Sequence, residues 1–221
     1  MSRLEKPTGG THDLLRIEGQ HTLLYSDTFL FYQPILFGYL PVDTLVTAAA
    51  FSIRATAACL EQGFLMRGAI SFGELLVSPS IPTVAGPVVI ECAEHFESTE
   101  WVGCHATPSA AAILDMAPPD KNARHLEFYE RAKVPFKLAG GATVSTETWV
   151  VKWHRHLRES LPGKHRAIFP GALRTRMDDY QRQGRPVEDA VTDHFRELLL
   201  HYVQNNPTSN QKVQNTLISL F

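Results

Sequence analysis

The residues best suited to chemistry are carboxylates set among apolar runs. Asp27 lies within Leu23-Leu24-Tyr25-Ser26-Asp27-Thr28-Phe29-Leu30-Phe31-Tyr32, an apolar, aromatic stretch that reads as strand. Ser26-Asp27 is its only turn-like pair, which predicts a hairpin or bend with Asp27 at the tip. A carboxylate between buried strands needs a partner, a proton or a metal ion. A second polar group lies in residues 64–77, the longest strand signal, where Phe64, Met66, Ile70, Phe72 and Leu76 share one face. Leu65, Arg67, Ala69, Ser71 and Gly73 share the other, so Arg67 and Ser71 beside Gly73-Glu74 open a polar window in an apolar sheet. A solvent-facing or edge surface explains that window equally well. Gly68 and Gly73 mark a bulge or a close approach of another backbone or a ligand.

Glu91, Cys92, Glu94, His95, Cys104 and His105 invite a metal reading, since Cys92 and His95 are three apart on one helix. A zinc site calls for four convergent ligands, and a paired Cys-x-x-Cys is missing here. Cys104-His105 is unsuited to nucleophilic catalysis, because adjacent strand residues point to opposite faces. Gly140-Gly141 reads as a turn rather than a phosphate loop.

With 221 residues, 44% of them apolar, the chain can bury a full core as one large domain or as one domain with a helical extension. A formal net charge of −2 argues against a protein built to coat nucleic acid or an anionic membrane. The basic cluster Trp153-His154-Arg155-His156 with Arg158, Lys164, His165 and Arg166 reads as a solvated loop. Three cysteines and a polar start predict reduced thiols in a cytoplasm, and no later run is expected to be long enough to span a bilayer.

Periodicity sets the elements that would position these groups. Residues 1–20 read as a flexible arm, 21–32 as the opening hairpin, and 42–62 as a helix with Val42, Leu45, Val46, Ala49, Ile53 and Leu60 on one stripe. A second helix opens at Gly86-Pro87 and runs to about Glu100, followed by a strand over 101–107 and a short helix over 108–116. Pro118-Pro119-Asp120 marks the expected boundary between a core at 21–117 and an extension at 118–221. In the extension, helix is expected over 123–132, strand over 143–153, and helices over 171–183, 186–204 and 209–220.

Three pieces together resemble the nucleotide cyclase-like domain of class III adenylate and guanylate cyclases. They are Tyr25-Ser26-Asp27-Thr28-Phe29-Leu30-Phe31, Met66-Arg67-Gly68-Ala69-Ile70-Ser71-Phe72-Gly73-Glu74, and Gly86-Pro87-Val88-Val89-Ile90-Glu91-Cys92-Ala93-Glu94. The order matches that family's hairpin, helix, Arg-x-Gly-Ile strand and Gly-initiated helix. The resemblance extends to a bacterial group within it through Trp153 and Gln214-Asn215-Thr216-Leu217. It implies an α+β fold with a ferredoxin-like (βαββαβ) cyclase-type sheet, followed by a mostly helical extension.

The resemblance also implies a site at a homodimer interface. Asp27 and Glu74 would hold Mg2+ or Mn2+, and Arg67, Ser71 and Glu91 would face a nucleotide. The family's first metal-binding aspartate lies on an earlier strand, and nothing before His21 matches that strand. The arginine expected on the helix after the glycine is also missing, with Glu94 and His95 near its place. The implied function is therefore a catalytically degenerate domain, either a nucleotide- or metal-binding module or a protein-interaction module. The alternative is a metal-dependent phosphoryl-transfer enzyme using Asp27, Glu74 and Glu91, with Arg67 balancing phosphate charge. The unmatched strand would be central in the sheet. Residues 143–153 or a strand from a second subunit are expected to replace it, unless the sequence simply begins after it.

Overall fold

The computed structural model describes residues 21–25, 28–35, 40–78, 83–118, 123–154, 171–207 and 213. Its centre is helix α1 (Pro41–Glu61). Pro41 suits the first helical turn, and the Asp43 carboxylate accepts a hydrogen bond from the Leu40 N–H (3.3 Å). At the far end Gly63 takes φ 77°, while Gly63 N–H bonds Leu60 O and Phe64 N–H bonds Cys59 O, the two bonds of a Schellman stop. The expected stripe is buried at Leu45, Val46, Ala49, Ile53 and Leu60, and so are Phe51, Ala55, Thr56 and Ala57. A helix buried on so many sides is a core helix. By length and composition α1 could also cross a membrane, which corrects the expectation that no run is long enough, but half of that window is packed inside the protein.

The sheet beneath α1 has the order β3-β6-β8-β7, formed by Arg67–Ile70, Gly103–Ala106, Thr143–Val151 and Tyr129–Lys137 respectively. β3 and β6 are parallel, with Arg67 opposite Gly103 and Ile70 opposite Ala106. β8 joins β6 antiparallel at His105↔Val150, and β7 pairs β8 antiparallel along its whole length. Met66 and Ile70 are buried with α1 in the core. The opposite face carries α2 (Pro87–Ser98), which packs on β3. Two small hairpins stand outside this sheet: β1–β2 (His21–Tyr25, Thr28–Tyr32) and β4–β5 (Leu76–Ser78, Thr83–Ala85). The first docks on α1 by stacking Phe31 on Phe51, with ring centroids 4.1 Å apart. α3 (Pro108–Met116) and α4 (His125–Phe128) border α1, and the helix pair α5 (Gly171–Arg182) and α6 (Val187–Asn205) closes the fold.

The architecture is α+β with a mixed sheet and a helical C-terminal part. Several expectations change in detail. The long strand of 64–77 is two short strands separated by a bend. The helix expected over 123–132 is a single turn followed by strand β7, because Tyr129 and Val134 must reach the core. The Tyr129 hydroxyl donates to Leu45 O (2.8 Å), tying β7 to α1. Strand 143–151 forms as expected but lies between β6 and β7, and no described strand separates β2 from β3. The arm at 1–20, the basic run at 155–166 and most of the last expected helix lie outside the described residues.

β7 and β8 curl over the α2 face. Glu130 lies opposite Val150, the partner of His105, yet the Phe136 ring six residues further on packs 5.2 Å from the His105 ring. Six extended residues span roughly 20 Å, so the hairpin must bend back. Glu100 N–H donates to Pro135 O (2.9 Å) and fastens the bent end.

Gly103 begins β6 with φ 109°, and a Cβ there would meet the Trp153 ring at 2.9 Å. Trp101 and Trp153 are both fully buried, so neither ring has room to move aside. Gly103→Ala is expected to cost about 2–3 kcal/mol, read as a lower melting temperature in thermal denaturation followed by circular dichroism.

Candidate functional site

The polar cluster forms where β3 ends. β3 delivers Ser71 just past Ile70, α2 brings Glu91 across the sheet face, and the start of α3 presents Thr107 and Ser109. The Glu91 carboxylate is the hub. Oε1 accepts the Ser109 N–H (3.0 Å), while Oε2 accepts the hydroxyls of Ser109 (2.6 Å) and Ser71. Ser109 Oγ in turn accepts the Phe72 N–H (3.0 Å), and Thr107 Oγ1 donates to Ile70 O (3.2 Å).

Ser109 is the second residue of α3, so its N–H is one that the helix itself cannot satisfy. Glu91 supplies the missing acceptor and places negative charge at the positive end of α3. Partial burial alone would raise the Glu91 carboxyl, but hydrogen bonds from Ser109 and Ser71 outweigh it and hold the pKa below the ordinary value. Gly86 fixes where α2 starts. It has φ 139°, and a Cβ there would lie 2.7 Å from Glu74 O.

Of the residues expected to face a nucleotide, Ser71 and Glu91 meet, whereas Arg67 does not join them. Its guanidinium lies at the other end of β3 and donates to Thr99 O (3.4 Å), past the C-terminus of α2. Of the expected metal ligands, Glu74 is exposed on the bend after β3, and Asp27 lies outside the described residues. Ser109 and Thr107 were missed by sequence reasoning. The signal available was Thr107-Pro108-Ser109, a helix start whose free N–H groups need an acceptor.

The His/Cys constellation separates. Among the described residues no group of three or more His, Cys, Asp or Glu side chains could hold a metal ion. Burial pushes the Cys92 thiol up to about 12, with Glu91 adding to it, and the S–H donates to Ala69 O (3.4 Å). Cys104 is pushed up to about 11 by burial. Both remain thiols and poor ligands at neutral pH. His105 and His95 pack with ring centroids 5.7 Å apart, both against Phe136. His105 is fully buried, and neither ring nitrogen makes a well-formed hydrogen bond, although the Gly68 backbone gives weak support. Burial, and then the neighbouring His95, lower its pKa to about 3.

Compared with protein-family models, curated proteins and solved structures, the chain matches none of them. Function therefore rests on the arrangement of the residues themselves.

Two predictions follow from these groups. Glu91→Ala removes the acceptor at the start of α3 and should cost about 1 kcal/mol at neutral pH, measured by urea denaturation. Because the Glu91 pKa is depressed, its contribution is present above the ordinary carboxyl value and is lost as pH falls through the folded value, so the gap between wild type and variant should close in acid. His105 works over a different window. A histidine held neutral contributes fully above its unfolded pKa of about 6.5 and loses up to about 1.4 kcal/mol per pH unit below it. With a folded pKa of about 3, the loss continues towards that pH, and His105→Leu should show a shallower fall in stability between neutral pH and 5.

Proposed function

We propose that the chain is a catalytically degenerate nucleotide cyclase-like domain acting as a protein-interaction module, with a second copy of itself as the expected partner. The observation that carries this reading is the commitment of Glu91. Both of its oxygens are engaged within the fold, on Ser71 and the start of α3, at the position where the resemblance would direct a side chain towards nucleotide. Arg67, the cation that would balance phosphate charge, bonds Thr99 O at the far end of the strand. Leu76 and Val77 on β4 and Ile90 on α2 are exposed, and β4 is joined through β5 to the start of α2. Exposed apolar side chains of this kind suit a protein contact. The ferredoxin-like cyclase order belongs to the same proposal and needs a strand between β2 and β3. The free thiols of Cys59, Cys92 and Cys104 suit the cytoplasm.

The phosphoryl-transfer alternative rests on Glu74, whose carboxylate is exposed and makes no hydrogen bond among the described residues. It would hold Mg2+ or Mn2+ with Asp27, and a nucleotide would bind at that metal.

Thermal melts of the full chain with ATP or GTP plus Mn2+ or Mg2+, alongside light scattering for mass, separate the readings. The interaction module predicts a dimer, weakened by Leu76→Glu with Ile90→Glu, and a melting temperature that nucleotide does not change. A metal-dependent rise lost in Asp27→Ala and Glu74→Gln, together with cyclic nucleotide formation, would overturn it in favour of the enzyme.

A further inference from the structure

The C-terminal ends of α1 and α6 meet at a cleft that the site above does not use. It is a cavity of about 290 Å3, floored by Leu60 and Leu198 and walled by Glu61, His201, Tyr202 and Asn205. Glu61 and Gly63 precede β3, whereas Ser71 follows it, so this cleft and the Glu91 cluster lie at opposite ends of that strand.

Three features bear on the charge of the cleft. First, helix C-termini carry partial negative charge, normally offset by a basic residue in the last turn. Neither α1 nor α6 has one, and no Lys or Arg lines the cavity. Second, Glu61 is the last residue of α1. Its Oε1 pairs with His194 Nε2 (2.6 Å), both side chains being about nine-tenths buried, so the carboxylate keeps its full charge only while His194 is neutral; Oε2 makes no hydrogen bond among the described residues. Third, the amide nitrogens of Asn205 and Asn206 donate to His201 O (2.9 Å) and Tyr202 O (3.0 Å). This leaves the two Oδ1 atoms as acceptors. The floor is aliphatic and the wall includes the Tyr202 ring, which suits a short carbon stem and the face of a cation.

We propose that this cleft binds a small organic cation, a guanidinium or ammonium group on a short aliphatic stem. The charged group bonds the free Glu61 oxygen, and the stem lies on Leu60 and Leu198. A volume of this size is at the small end for ligand sites, which limits the occupant to a few carbons. A free amine or guanidine and an arginine side chain of a peptide present the same chemistry.

The test is calorimetric titration of the full chain with n-butylguanidinium chloride, with n-butanol and sodium butyrate as uncharged and anionic counterparts. Saturable binding of the cation alone is expected. Glu61→Gln keeps an acceptor for His194 but removes the charge, and should weaken binding about tenfold or more. Leu198→Trp fills the floor and should abolish it. If Glu61→Gln fails to fold, Tyr202→Leu serves in its place, with weaker binding expected. The tripeptide Gly-Arg-Gly distinguishes the sources, since tighter binding than butylguanidinium points to a peptide side chain and weaker binding to a free cation. Equal binding of butanol or butyrate, affinity unchanged by the charge-removing variant, or no binding of any cation would overturn the proposal.

Discussion

Two strands running the same way cannot be joined by a tight turn, and this constraint organises the molecule. β3 and β6 are parallel neighbours, so the chain between them must leave one end of the sheet and return to the other. It does so through the β4–β5 hairpin and α2, which crosses the face opposite α1. That crossing lays Glu91 over the end of β3, Cys92 over Ala69 and the residues after α2 near Arg67. The polar groups of α2 therefore meet the strand in reverse order, which is why Arg67 and Glu91, placed together by the resemblance, end up apart.

Glu91 illustrates how a residue that looks chemical can be structural. A carboxylate beside two serines is easily taken for part of a reactive site, but the base that meets both hydroxyls is Glu91 itself, and its lowered pKa makes it a weak one. The hydrogen bonds instead join three segments far apart in sequence: the end of β3, the second turn of α2 and the first turn of α3. Satisfying an otherwise unpaired helix N–H is sufficient reason for the arrangement.

Much of the scaffold was legible in the sequence because it depends on local signals. Asp43 in the first turn and Gly63 after the last mark α1, Gly86-Pro87 marks α2, and the apolar period of α6 stands out in Val187, Val191, Phe195 and Leu199. β7 was hidden because Glu130, Arg131, Ala132 and Lys133 are good helix formers, and only the need to place Tyr129 and Val134 in the core makes them strand. The candidate site was half legible. Ser71 and Glu91 were singled out, but the partner that gives them their role, Ser109, lies 18 residues beyond Glu91, and no local pattern connects the two. The cleft between α1 and α6 was equally invisible, since it joins residues separated by more than half the chain.

The position of β8 inside the sheet bears on how the protein is made. Its pairing with β6 spans about 45 residues, and the Tyr129–Leu45 bond spans 84. As the chain emerges from a ribosome, α1, β3 and β6 are complete well before β8 exists, and until then one edge of β6 is open. A nascent chain at that stage exposes an unpaired strand beside a very apolar helix, which is the kind of surface that holding chaperones recognise. Vectorial synthesis therefore leaves this fold with a defined interval of vulnerability, which closes only when residue 151 has been translated and released.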